Sequence, residues 1–162
     1  MENNSLLAVS PIDGRYSRQT EALREYFSEY ALIKYRVRIE IEYFIALCRI
    51  PLPQLADFDS SRFEALRDIY RSMTPEDAAK VKEIEKVTNH DVKAVEYYIK
   101  DRFKEMDIIK WGEFVHFGLT SQDINNTSVP LSFKEAIEDC FMPLLKEVLG
   151  LIKGMAADWA DI

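Results

Sequence analysis

Residues 19–48 read QTEALREYFSEYALIKYRVRIEIEYFIALC. Leu23, Phe27, Tyr30, Val37, Ile41, Ile45 and Cys48 recur at helical spacing, and Tyr26, Leu32, Ile33, Ile39 and Tyr43 add a second apolar face. The spacing predicts one long helix from Gln19 to Cys48. A helix apolar on two sides packs between neighbours instead of lying on a surface. Pro51-Leu52-Pro53 ends it, because proline cannot continue the hydrogen-bond ladder.

Working outward, the same period returns. Phe63, Leu66, Ile69 and Tyr70 predict a short helix over 60–72. Thr74-Pro75-Glu76-Asp77 is a helix start, with Thr at the N-cap, Pro at N1 and acids in the first turn. Ala78, Val81 and Ile84 carry that helix to about Val87. Thr88-Asn89-His90-Asp91 interrupts it, and Val92, Val95, Ile99 and Phe103 resume a helix to about Met106. Thr120-Ser121-Gln122-Asp123 opens a last long helix, since Thr with an acid three residues on is a capping-box variant. Pro130 and Pro143 are expected to kink it or to mark a start inside it. Its stripe, Phe141 to Trp159, still runs at Asp161-Ile162, which suggests the front part of a larger helical protein or an oligomer subunit. Residues 1–18 read as an irregular arm, with Leu6, Leu7, Val9 and Ile12 expected to give it apolar grip. With five glycines, six prolines and no hairpin signal between alternating runs, the fold class is all-α.

Composition narrows the function. The chain has 162 residues, 48% hydrophobic and 30% charged, with a net charge of −7. That is the profile of one globular domain, and an acidic chain without a basic tract is a poor ligand for nucleic acid or an anionic membrane. No apolar run approaches the ~20 residues of a membrane span. MENNSLLAVSP carries Glu2 and no positive n-region, so it does not read as a secretory signal. Cys48 and Cys140 are lone thiols, suited to a reducing cytoplasm. His90 and His116 are far apart with no carboxylates at ligand spacing, so no metal site is expected. His116, between Phe114, Val115 and Phe117, reads as a buried structural ring.

Three segments can carry chemistry, and each also has a plain structural explanation. In Ser10-Pro11-Ile12-Asp13-Gly14-Arg15-Tyr16, the Arg15 fork suits phosphate oxygens and Tyr16 can stack or donate, or the segment is a surface turn. In Thr88-Asn89-His90-Asp91-Val92-Lys93-Ala94-Val95-Glu96, an amide, an imidazole and a carboxylate meet at a helix start. His90 can move protons near neutral pH, or Thr88 or Asn89 caps the helix beside an ordinary exposed ring. In Thr120-Ser121-Gln122-Asp123-Ile124-Asn125-Asn126, hydroxyls and free N–H groups at a helix N-terminus can hold a carboxylate or phosphate, or they cap the helix.

Taken in this order, SPIDGRY, TNHDVKAVEY and HFGLTSQDINN resemble the N-terminal part of the adenylosuccinate lyase family, within the fumarase/aspartase superfamily. The likeness runs from about Leu6 to the chain end. It implies a helical N-terminal domain over 1–118, with an extended arm over 1–18, followed by the first long helix of a central bundle over 119–162. It implies β-elimination of fumarate from adenylosuccinate, leaving AMP, and from the succinyl-aminoimidazole-carboxamide ribotide of purine synthesis. No cofactor is implied. Arg15 and Tyr16 would bind the nucleotide, Arg15 near its phosphate. Asn89, His90 and Asp91 would line the scissile side, with His90 as an auxiliary catalytic group, and Thr120 and Ser121 would grip the succinyl carboxylates. The principal acid and base would lie beyond Ile162, in a cytoplasmic homotetramer, so the chain alone is expected to be inactive. Two alternatives stay open: a non-catalytic helical interaction domain, and a sister lyase acting on another succinyl compound.

Overall fold

The computed structural model describes residues 7–50 and 52–161; Leu6, Pro51 and Ile162, which entered the sequence reading, lie outside them. The chain is all-α, with no strand among the described residues. It divides into two compact units, residues 29–131 and residues up to Ser28 with those from Ser132 onward.

The 29–131 unit is built around α2, Glu29–Arg49. Helix α3 spans Phe63–Arg71, α4 Pro75–Thr88 and α5 Asp91–Glu105. Helix α2 packs on all three, and α4 packs on α5. The apolar period of α2 explains this placement. Ile33, Val37, Ile41, Phe44 and Ile45 are all buried, and they share a core with Leu66, Val81, Val95, Ile99 and Phe103. Phe44 meets Phe58 and Phe103 edge-on at 5.2 and 5.0 Å between ring centroids, the geometry aromatic quadrupoles favour.

Helix ends follow local chemistry. Thr74 and Asp77 form a reciprocal capping box: the Asp77 N–H donates to Thr74 Oγ1 at 3.3 Å, and the Thr74 N–H donates to Asp77 Oδ2 at 3.1 Å. Pro75 occupies N1, as its missing N–H allows. The next junction differs from expectation. Helix α4 runs through Thr88, Asn89 closes it at φ 50°, and His90, not Thr88 or Asn89, caps α5. Asparagine is one of the few residues that tolerates this left-handed conformation. A 3₁₀ stretch, Ile109–Phe114, then leads toward α6, Ser121–Ala136.

In the other unit, Pro11–Thr20 forms successive turns. The single helix expected over 19–48 is interrupted. A 3₁₀ turn at Glu21–Leu23 and a four-residue α1, Arg24–Phe27, precede Ser28, which is extended at ψ 164°. The Ser28 hydroxyl donates to the Arg24 carbonyl at 2.6 Å, alongside the Ser28 N–H at 3.3 Å. Tyr26 donates to Asp139 Oδ2 at 3.1 Å, and the Phe27 and Phe133 rings lie 4.9 Å apart. Burial and the Asp139 hydrogen bond push the Tyr26 hydroxyl up to about 12.

Of the two expected proline kinks, Pro130 produces no break: it sits inside α6, in unbroken α-helix. The register changes ahead of Pro143. Residues Ile137–Phe141 form a π turn, in which the Met142 N–H reaches back to the Ile137 carbonyl, before α7, Met142–Asp158. A proline ring crowds the carbonyl four residues back, and one wider turn relieves it.

Candidate functional site

The second segment is held from below by its own backbone. The Lys93 N–H donates to His90 Nδ1 at 3.1 Å. In the neutral ring this puts the proton on Nε2, so the cap also selects the tautomer. Thr88 Oγ1 donates to the His90 carbonyl at 3.1 Å, tying the loop across the junction. Asp91 is engaged on both oxygens: Oδ1 accepts from the Val92 N–H at 2.8 Å, and Oδ2 lies 2.6 Å from Arg36. Burial pushes the Asp91 carboxyl up, but the Val92 N–H, Arg36 and His90 outweigh it and hold it below the usual range. Asp91 is therefore an anchored carboxylate.

The third segment starts with two left-handed residues, His116 at φ 59° and Gly118 at φ 71°. They turn the chain into Thr120, whose N–H and hydroxyl both donate to Asp123 Oδ2, at 2.7 and 2.9 Å. These bonds hold the Asp123 carboxyl below its ordinary value. Thr120 thus caps α6 and Ser121 is its first residue.

Arg36 connects the two segments. It is buried on α2; its Nε donates to Asn125 Oδ1 at 2.9 Å while its other end pairs with Asp91. Asn125 stands one helical turn beyond Ser121, on the same side of α6. The starts of α5 and α6 are therefore joined through one guanidinium. A turn further along α2, the fully buried Glu40 meets His116 Nδ1 at 2.5 Å. Burial pushes the Glu40 carboxyl up, and His116 pulls part of that back. His116, expected to be a buried structural ring, is mostly buried and is the partner of a buried carboxyl.

Arg15 and Tyr16 belong to the other unit. Both are exposed. The Arg15 guanidinium carbon lies 5.4 Å from the Tyr16 ring centroid, and the two line an open depression of about 370 Å³ with Ala8, Ser10 and Pro11. Sequence reading did not single out Arg36, Glu40 or Asn125. Arg36 and Glu40 stand at i and i+4 beside the apolar Val37 and Ile41, but Arg38 and Glu42 on the same helix have the same spacing, so the pattern alone does not single them out. Among the described residues, no three His, Cys, Asp or Glu side chains group as metal ligands. No helix there is long and apolar enough to cross a membrane.

The sequence profile of the family described as Lyase matches residues 14–162. The chain belongs to this lyase family. Over nearly its whole length this lyase-family chain is similar to curated adenylosuccinate lyases. It is 50% identical to that of Dictyostelium discoideum across 98% of the chain and 35% of the relative. It is 43% identical to that of Legionella pneumophila (strain Corby) and 42% identical to that of Escherichia coli (strain K12), each across 100% of the chain and 36% of the relative. The chain spans about a third of the length of these relatives.

Proposed function

We propose that this chain is the N-terminal part of a cytoplasmic homotetrameric lyase of purine biosynthesis. It cleaves adenylosuccinate to AMP and fumarate, and the succinyl-aminoimidazole-carboxamide ribotide in the same way. The observation that carries this reading is the whole-length similarity to adenylosuccinate lyases from organisms as different as Dictyostelium and Escherichia coli. The Arg36 junction supports it, since it ties together two of the three segments the reaction requires. Residues 1–118, with the arm 1–18, form the N-terminal domain, and residues 119–162 the first helix of the central bundle.

In a β-elimination, a base removes a proton beside a carboxylate while an acid protonates the leaving nitrogen. The site must therefore hold the carboxylates, hold the nucleotide, and favour a carbanion-like transition state. Thr120 and Ser121 stand at the positive end of α6, where a carboxylate is favoured. The Nε2–H of His90, left by the Nδ1 cap, can donate to the substrate on the scissile side. Asn89 presents its amide from the turn before it. Asp91 serves through the Arg36 anchor, keeping this turn in place. Arg15 takes the phosphate and Tyr16 the nucleotide. Residues outside this chain supply the principal acid and base.

The test is an assay of the complete protein with adenylosuccinate, following fumarate. Turnover is expected. A purified, folded complete protein that turns over another succinyl or fumaryl compound but not adenylosuccinate would overturn the assignment.

A further inference from the structure

We propose that Arg36 and Glu40, one turn apart on α2, are positioning residues: they hold the start of α5 and the 116–125 segment in one register so that both meet a single substrate. The proposal rests on the lyase reading above and goes beyond it, since neither side chain belongs to the three segments that carry the family likeness.

Arg36 is 6% exposed and Glu40 is 0% exposed, and they flank Val37 in the buried stripe of α2. Charges in such a stripe are a poor way to stabilise a fold. Desolvation offsets most of the attraction, and apolar residues of similar volume often do as well or better. Glu40 makes this plainer: its Oε2 is buried and has no hydrogen-bond partner among the described residues, a cost without return in stability.

What the pair achieves is geometric. The guanidinium is planar and rigid, so bonding Asp91 at 2.6 Å and Asn125 at 2.9 Å together fixes the spacing between the two helix starts. Glu40 then fixes His116, the first of the two left-handed residues that steer the chain into Thr120. Neither restraint could be replaced by packing alone, because an apolar contact has no preferred direction. Misplacement of about 1 Å at a reacting site costs about 10²-fold in rate.

The test uses the complete protein and four variants: Arg36→Met, Arg36→Lys, Glu40→Leu and Glu40→Gln. Folding is read by circular dichroism and melting, and kcat and KM with adenylosuccinate. Arg36→Met and Glu40→Leu are expected to fold and to lose about 10²-fold in kcat/KM. Glu40→Gln, which keeps an acceptor for His116, is expected to recover at least about tenfold over Glu40→Leu. If the apolar variants fail to fold, Arg36→Lys decides: it keeps the charge but cannot span both acceptors, so kinetics within twofold of wild type would overturn the proposal. If the wild type itself does not act on adenylosuccinate, that failure belongs to the substrate assignment. A crystal structure of Arg36→Lys then tests positioning separately. Displacement between the α5 and α6 starts is expected, and none would overturn it.

Discussion

Helices α2 and α7 carry the same kind of apolar stripe and meet different fates. On α2, Val37 and Ile41 are 0% exposed. On α7, Leu144 and Leu151 are each 63% exposed, and Val148, Ile152 and Met155 are exposed with them. Helical periodicity states that a face needs cover, but not which residues supply it. The partners of α2 stand within this chain, in α3, α4 and α5. The partners of α7 are, in the proposed function, the remaining bundle helices and other subunits.

Core substitution breaks this comparison most sharply. Phe103→Ala, in the cover of α2, is expected to cost ~3–5 kcal/mol in this chain. Leu151→Ala is expected to stay within about 0.5 kcal/mol, because little is packed against it. Chemical denaturation of both variants checks this, and a large loss for Leu151→Ala would mean that α7 is already covered. The same exposed stripe is expected to drive self-association of the isolated chain, since apolar area left in water costs ~25 cal/mol per Å². Light scattering is expected to show species above the monomer, and a strict monomer at high concentration would count against the comparison.

A smaller effect is expected at the helix ends. Thr74→Ala removes half of a reciprocal cap and is expected to cost ~1 kcal/mol, measured by the same denaturation. Arg67 holds the Glu42 carboxyl below its usual value; burial pushes Glu96 up, but Lys93 and Lys100 pull it lower still. With Asp91 also held low, the stability these groups contribute is present above the ordinary carboxylate range. It is lost as pH falls through and below that range, where the unfolded chain binds more protons. Glu40 works oppositely: its raised carboxyl favours the fold most below the ordinary value and loses that contribution as pH rises. On acidification from neutral pH toward about pH 5, the melting temperature of wild type is therefore expected to rise relative to that of Glu40→Gln, and both are expected to fall on further acidification.

The parts of the fold legible in the sequence were those written locally. Thr74-Pro75-Glu76-Asp77 specifies its helix start within four residues, and the break at His90 and the start at Ser121 are likewise set by neighbours in sequence. The break at Ser28 was not legible, because the same hydroxyl-to-carbonyl bond is tolerated inside a helix, as at Thr127 in α6. Pro130 and Pro143 both read as sites of a kink or a new start; Pro143 stands at such a start, while Pro130, with the same chemistry, leaves α6 intact, so which of the two acts was not legible. Within the candidate site, the segments were readable but what joins them was not. Arg36 and Glu40 look like solvated charges on a helix until the two elements they reach are folded against α2.

Steady-state kinetics of the complete protein with Arg15→Ala and His90→Ala test the central assignment most directly. Arg15 is placed on a phosphate remote from the bond that breaks, so its loss is expected mainly as a raised KM. His90 is placed beside that bond, so its loss is expected to lower kcat by about 10²-fold or more. A folded Arg15→Ala variant with unchanged KM, or a folded His90→Ala variant with unchanged kcat, would contradict the account.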